Sequence, residues 1–292
     1  MRYLLSLILA CAILLPSLAQ AYEVLVLQSR RDPVYDEVLK GFRSQRRFTE
    51  RLIVLSDYSE VDVIRIVRED RPSLVLTLGD SALSEARKVR QIPVIALMSL
   101  AIHHLKGGDN ISGIGMYVSA ERYLKLFQAM RTRRVGVIHN PAKSGWYLQD
   151  ARMAAEQANI ELVVREVKNP RETIDQLASL AGKVDCLWML PDSTAVTRET
   201  AEAYFRFAQE QSVPLTSFAG PYLGLGAAAV VEIDFTQLGR QANDMAVSAL
   251  RGNSNRLVSR PGKTRIKTNL SVLKRLGISA KHIEANLNNL DE

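Results

Sequence analysis

The sequence predicts an α/β protein of two similar lobes, each a parallel sheet covered by helices, joined by a hinge of several crossing strands. Three observations lead there. An apolar run ending in Asp-Ser occurs twice, as Ser73-Leu74-Val75-Leu76-Thr77-Leu78-Gly79-Asp80-Ser81 and as Asp185-Cys186-Leu187-Trp188-Met189-Leu190-Pro191-Asp192-Ser193. Each is followed by a helical stretch, 82–90 and 195–211, and then by a Pro-bearing apolar run, Ile92–Leu97 and Val213–Phe218. The distance from first strand to Asp-Ser turn also matches to within one residue, Val24 to Asp80 against Val135 to Asp192. The plan repeats although little identity does.

Taken in order, Tyr22–Gln28 reads as a first strand, and Asp32–Arg46 as a helix whose first turn suits Pro33. Leu52–Leu55 is a second strand and Val61–Glu69 a second helix, with Ile64 and Val67 at helical spacing. The first Asp-Ser turn and the strand Val94–Leu97 complete this half. Strands alternating with helices of this length argue for a parallel sheet with right-handed crossovers. Asn110–Met116, punctuated by Gly113 and Gly115, suits a strand passing between lobes. Arg134–Asn140 restarts the pattern, followed by a helix at 146–158, a strand Glu161–Val167, a helix at 170–181 and the second Asp-Ser turn. Gly224–Ile233 is another small, extended run. Phe235–Leu250 is a helix with Leu238, Ala242, Met245, Ala246 and Ala249 on one face, closed by Arg251-Gly252. Thr264–Asn269 and Leu270–Leu276 read as a strand and a short helix, and the polar residues up to Glu292 are expected to fray. The expected division is an N-terminal lobe of 22–116 with about 234–258, and a C-terminal lobe of 117–233 with about 259–292. Repeated crossings make a hinge, and a hinge suits closure on a ligand.

Residues 1–21 carry a short basic start, an apolar stretch Leu4–Leu18 and Ala19-Gln20-Ala21, the pattern of a signal peptide cleaved after Ala21. The expected location is therefore the periplasm. Cys11 loosely resembles a lipoprotein site but lies inside the apolar stretch. Cleavage leaves Cys186 as the one remaining cysteine, in an apolar strand, which rules out an internal disulfide and suits an inert core thiol. The net charge of +7 raises nucleic acid as a partner. The basic residues, however, are dispersed as Arg30-Arg31, Arg46-Arg47, Arg131 to Arg134 and Lys263 to Lys267, with no aromatic interleaving on one element. A solvated basic surface and no nucleic acid is the reading. His103-His104 adjoin in a loop, where consecutive residues rarely share a metal, and His139 has no Cys/His partners nearby. No nucleophile elbow, His-Glu-x-x-His helix or Walker lysine is present. The expectation is a protein that is not an enzyme and has no cofactor or metal.

A buried strand that feeds a helix through an Asp/Ser cap sets a carboxylate, a hydroxyl and free N–H groups at the strand's carboxyl end. Open α/β sheets bind ligands there. Two such ends facing one another would form a cleft, with Gln28 and Ser29 on its rim. Plain helix capping would account for either Asp-Ser pair taken alone.

The residues also carry a family likeness. Leu78–Ala82, Asn110–Gly113, Arg133–Pro141, Leu190–Ser193, Val213–Leu215, Gly226–Glu232 with Gly239, and Thr268–Ile278 occur in the order found in ABC transporter substrate-binding proteins. The chain resembles type I periplasmic binding proteins, two Rossmann-like lobes, and within them the members that bind tryptophan and tyrosine. There are two departures. Family members carry Asp-Pro after the strand that here ends Leu97-Met98-Ser99, where this chain has Leu100–His104, and the first turn has gained a carboxylate at Asp80. The resemblance implies a monomeric periplasmic receptor that binds a small molecule, an aromatic or apolar amino acid, and presents it to a membrane permease. Asp192 suits the ligand's ammonium, and Ser81, Ser193 and helix amides suit its carboxylate. Asp80 joins them at the first turn. The loop from Asn140 through Ser144 to Trp146 and Tyr147 is implied to contact ligand. Trp146 can stack on a side chain or pack the start of its own helix, and Phe218 and Tyr222 are further wall candidates. The altered 98–104 segment motivates an alternative, a sensory or scaffold protein that signals to a membrane receptor or envelope complex.

Overall fold

The computed structural model describes residues 22–105, 110–253 and 257–287, so the signal-peptide and Cys11 readings lie outside the described residues. Each half of the expected plan becomes a six-stranded sheet. The first is built from β1 (Val24–Gln28), β2 (Glu50–Val54), β3 (Leu74–Leu78), β4 (Val94–Leu97), β5 (Ile111–Ile114) and β11 (Val258–Ser259), in the order β11-β5-β4-β3-β1-β2. All its pairings are parallel. The second uses β6 (Arg134–His139), β7 (Glu161–Glu166), β8 (Cys186–Trp188), β9 (Leu215–Ser217), β10 (Ala229–Ile233) and β12 (Thr264–Thr268), in the order β12-β10-β9-β8-β6-β7. Only β12 runs antiparallel within it. Because β5, β10 and β11 each lead to the other sheet, the chain crosses three times. This is the α/β fold of two lobes and a multi-strand hinge.

Alternation explains the layers. Val24, Val26, Leu74 and Leu76 face one side of the first sheet, against Tyr35, Val38 and Phe42 of α1 (Pro33–Arg43) and Leu238, Ala242 and Ala246 of α9 (Phe235–Leu250). Leu25, Leu27 and Val75 face the other side, against α2 (Val63–Asp70) and α3 (Asp80–Ala86). Every residue of β1 and β3 is buried, as central parallel strands require, whereas the edge strand β2 exposes Arg51 and Leu52. In the second sheet, Val135, Val137 and Trp188 pack on α4 (Ala120–Ala129) and α5 (Pro141–Gln157). Its other face holds Met189 and Leu215 against α6 (Glu172–Ala178) and α7 (Arg198–Glu210). A short α8 (Pro221–Gly224) and the tail helices α10 (Leu270–Arg275) and α11 (Ala280–Leu287) complete the chain. Cys186 is fully buried in β8, and burial pushes its thiol up to about 12, which keeps it protonated and inert.

Several boundaries differ for local reasons. Helix α5 begins at Pro141, not near 146, because the Asn140 side chain accepts the Ala142 N–H at 2.9 Å and Pro141 takes the first helical position. Pro221–Gly224 forms a short helix, and β10 begins at Ala229, five residues after the Gly224 start of the expected extended run. Helix α4, with Ala120, Tyr123, Leu124 and Phe127 on its buried face, is an element the pattern reading passed over.

Helices α1 and α9 meet through glycine. A Cβ on Gly239 would stand 1.9 Å from the Val38 carbonyl oxygen, and one on Gly41 would stand 2.0 Å from that of Thr236. The two backbones are therefore in contact. Asn243 fastens them by donating to the Phe42 and Arg46 carbonyls at 2.7 and 2.8 Å.

Candidate functional site

The carboxyl ends of the two sheets bound a cleft of about 590 Å³. From the first lobe come Ser29, Tyr35, Asp80, Ser81 and Met98; from the second come Pro191, Asp192, Ser193 and Phe218. The crossing segments contribute Met116, Val118, Ile233 and Phe235. Both Asp-Ser turns thus reach one hollow. Their chemistry differs, and the expected pair of equivalent capped helix starts is corrected here.

At the first turn, Gly79 adopts φ +94, and a Cβ there would fall 2.4 Å from the Tyr35 hydroxyl and 2.5 Å from Ser29 Oγ. Only glycine fits. Asp80 is the first residue of α3 and caps nothing with its side chain. Its Oδ1 instead accepts from the Ser99 hydroxyl and from the Ala101 N–H, the latter at 3.0 Å. The start of α3 is held by Ser29, whose Oγ accepts the Ala82 N–H at 2.9 Å. Ser81 is exposed at the cleft. Gln28, only 2% exposed, is buried behind the rim and does not reach the cleft.

At the second turn, Asp192 is 1% exposed. Oδ2 accepts from the Asn140 N–H at 2.9 Å and from Ser144 Oγ at 2.6 Å. Oδ1 accepts from the Thr194 and Ala195 N–H groups at 2.9 and 3.0 Å. The helix α7 starts only at Arg198, behind a capping box of Thr197 and Thr200. Asp192 is therefore a buried hub that ties the ends of β6 and β8 together, with both oxygens saturated. This geometry speaks against its expected role as the ammonium partner. Asn140 and Ser144 belong to the same hub and stand behind the cleft wall. Asn140 caps α5 and donates to Thr194 Oγ1 at 3.1 Å, while Ser144 is fully buried. His139 lies 3.4 Å from Ser144 Oγ, giving a Ser, His and Asp in proximity. The order is wrong for a nucleophile, since the serine lies between the other two and is sealed from solvent. Burial holds the His139 imidazole below its ordinary range. Among the described residues no group of three or more His, Cys, Asp or Glu is placed to hold a metal.

Trp146 does not reach the cleft. Its ring stacks on His103, with centroids 4.2 Å apart and an interplanar angle of 26°, and meets Tyr117 edge-on at 5.1 Å. His103 itself is wedged against Gly115, where a Cβ would come within 2.1 Å of its Nε2, and burial pushes its imidazole down to about 4. Met116 and Val118 line the cleft, so the alternate residues Gly115 and Tyr117 carry this stack on the far side of the crossing segment. Asp150 of α5 and Arg260 also pair across the lobes, at 2.9 Å. A rotation that narrowed the cleft would open its far side and break this stack, which would then hold the lobes apart. Trp146→Ala, which removes about 1 kcal/mol of ring–ring attraction, is expected to tighten ligand binding about fivefold by calorimetry. A weaker affinity would instead mean that Trp146 contacts ligand.

The cleft holds groups that sequence reasoning missed: Tyr35, Met98, Met116, Glu232 and Phe235. Met98 adopts φ +56, a left-handed conformation rare for a residue with a side chain, at the carboxyl end of β4. No signal in the residue itself announces that. The alternation of Met116 with Tyr117 was readable but not which of the two faces inward. Phe218 was anticipated as a wall residue; it lines the cleft and meets Tyr222 edge-on at 5.5 Å.

Comparison with known proteins gives a consistent picture. A family model described as "ABC transporter substrate binding protein" matches residues 56–285. A tyrosine-binding protein of Clostridioides difficile strain R20291 is 28% identical over 153 residues, a match that spans 51% of this chain and only 44% of that protein. The fold is shared with the ligand-free, open form of a substrate-binding protein with adhesive properties from Clostridium difficile (TM-score 0.67, 20% identity, 88% of this chain and 95% of that one). It is also shared with a Streptococcus domain in complex with L-Trp (TM-score 0.65, 19% identity, 89% and 97%). A conserved domain protein from Vibrio cholerae gives a TM-score of 0.65 at 19% identity, with 91% and 98% covered.

Proposed function

We infer that this chain, which belongs to the ABC transporter substrate-binding protein family, closes its two lobes on an aromatic or apolar amino acid and delivers it to a membrane permease. The observation that carries the reading is the cleft itself. It sits where both sheets end, is shared by the two Asp-Ser turns, and is walled by Met98, Leu100, Met116, Phe218 and Phe235. Such a wall suits an apolar body, while Ser81 and Ser193, both exposed, and the cleft carboxylates offer polar contacts to its head group. The tyrosine-binding relative and the L-Trp complex support that ligand class. Ligand that touches both lobes only when they are shut shifts the balance to the closed state. The signal-peptide pattern at 1–21 supports export, with the work done in the periplasm.

The test is a thermal-shift screen of the protein beginning at Tyr22 against the amino acids, followed by calorimetry. Tyrosine, tryptophan, phenylalanine, leucine and methionine are expected to raise the melting temperature. A ligand at a hundred times its Kd stabilises by about 2.7 kcal/mol, or about 5–10 °C in a protein of this size. Absence of a shift with every amino acid would overturn the ligand class.

A further inference from the structure

We propose that Asp80 is the ammonium acceptor of the cleft, and that the cleft binds apolar primary amines lacking a carboxylate as well as apolar amino acids. The proposal rests on the ligand reading above and narrows it. Four carboxylates line the cleft, Asp32, Asp80, Asp192 and Glu232, against one cation, Arg30. Three are already engaged. Asp192 accepts four hydrogen bonds. Asp32 caps α1 by accepting the Val34 N–H at 3.0 Å and pairs with Arg30 at 2.7 Å. Glu232 is paired with Lys267.

Among the described residues, Asp80 is the one cleft carboxylate with neither a cation nor donors on both oxygens. Both of its hydrogen bonds fall on Oδ1, from Ser99 Oγ and the Ala101 N–H, and Oδ2 accepts from none of the described residues. Those two donors fix the carboxylate in place before any ligand arrives, which lowers the ordering cost of binding. Asp80 is exposed at the cleft, and its oriented, donor-free oxygen makes a charge-assisted acceptor for an N–H of an ammonium group.

The opposite head group is poorly served. Arg30, the one lining cation, is 65% exposed along its side chain and already bonded to Asp32. A solvated guanidinium in an ion pair adds little to affinity. Loss of the ligand's carboxylate therefore costs less than loss of its ammonium. With Asp32 and Glu232 offset by Arg30 and Lys267, Asp80 and Asp192 leave the cleft net negative, so a purely anionic ligand is repelled. The body of the ligand lies against Met98, Met116, Phe218 and Phe235, where thioethers and rings accommodate an aromatic group.

Calorimetry with three compounds of one body separates the head groups: tyrosine, tyramine and 3-(4-hydroxyphenyl)propionate, with the matching indole set of tryptophan, tryptamine and indole-3-propionate in parallel. Tyramine or tryptamine is expected to bind within tenfold of its amino acid, and the propionates at least a hundredfold more weakly. Asp80→Asn, which keeps an oxygen for Ser99 and Ala101, is expected to weaken both amine and amino acid at least tenfold with an unchanged melting temperature. Amino-acid binding without amine binding, a propionate as tight as its amine, or an unchanged D80N affinity overturns this proposal and leaves the receptor reading intact. Binding by no compound of either set, together with no shift in the amino-acid screen, overturns both.

Discussion

Asp192→Ala is expected to lower the stability of the folded chain by about 3–5 kcal/mol, the range seen when one partner of a buried charged network is removed. The carboxylate is almost wholly buried; among the described residues the three backbone N–H groups that donate to it have no other acceptor, and the Ser144 hydroxyl has only His139 Nδ1, at 3.4 Å. The backbone donors come from Asn140 at the end of β6 and from Thr194 and Ala195 after β8, so their loss loosens both strand ends at the cleft wall. Asp192→Asn keeps one acceptor oxygen but turns an NH₂ toward two of the donors, and is expected to fall between wild type and alanine. Urea denaturation followed by circular dichroism measures both. An alanine variant with an unchanged midpoint would overturn the structural role assigned to Asp192 and leave its expected ligand role open to a binding measurement. The contrast with Asp80 is the informative part: the two carboxylates sit at matched positions of a repeated plan, and only one is free.

That contrast marks where sequence reading stops. Both Asp-Ser turns, their preceding strands and the two-lobe plan are visible as local pattern, since a fully buried parallel strand is a continuous apolar run and β1, β3 and β8 are such runs. What each aspartate does depends on groups distant in sequence. The donors to Asp80 include Ser99, and those to Asp192 include Asn140 and Ser144, 52 and 48 positions away. No spacing rule reports that. The start of α5 was legible, because Asn140-Pro141 is a cap followed by a first-turn proline, but Ser144 and Gly145 diluted the helical pattern behind it. The Thr197 and Thr200 capping box also marks α7 as beginning well after Asp192. The two-residue strand β11 and the stack of Trp146 on His103 carry no local signature, being products of how the crossing segments bring the lobes together.

Gly239→Ala is expected to destabilise by about 3 kcal/mol, at the upper end for overpacking because the obstacle is backbone and cannot rotate away. The new Cβ would meet the Val38 carbonyl oxygen at 1.9 Å and the Phe42 nitrogen at 2.6 Å, so α9 must move off α1 as a body. In a chain of this length the loss corresponds to a fall of about 6–12 °C in melting temperature. Helix propensity alone predicts the opposite sign, since alanine in place of glycine inside a helix gains up to about 1 kcal/mol. Gly145, inside α5, supplies the matched control: a Cβ there meets nothing closer than Pro141 Cβ at 3.8 Å, so Gly145→Ala should stabilise. Opposite signs at two helical glycines, read in one thermal-melt series, would establish backbone contact as the cause; a stabilised G239A would refute it. The effect should reach the cleft as well. Helix α9 begins at Phe235, and Ile233 and Phe235 both line the cleft on the crossing segment that leads into it. Displacing α9 from α1 therefore moves an apolar wall of the site, and G239A should weaken ligand binding even at temperatures where it remains folded.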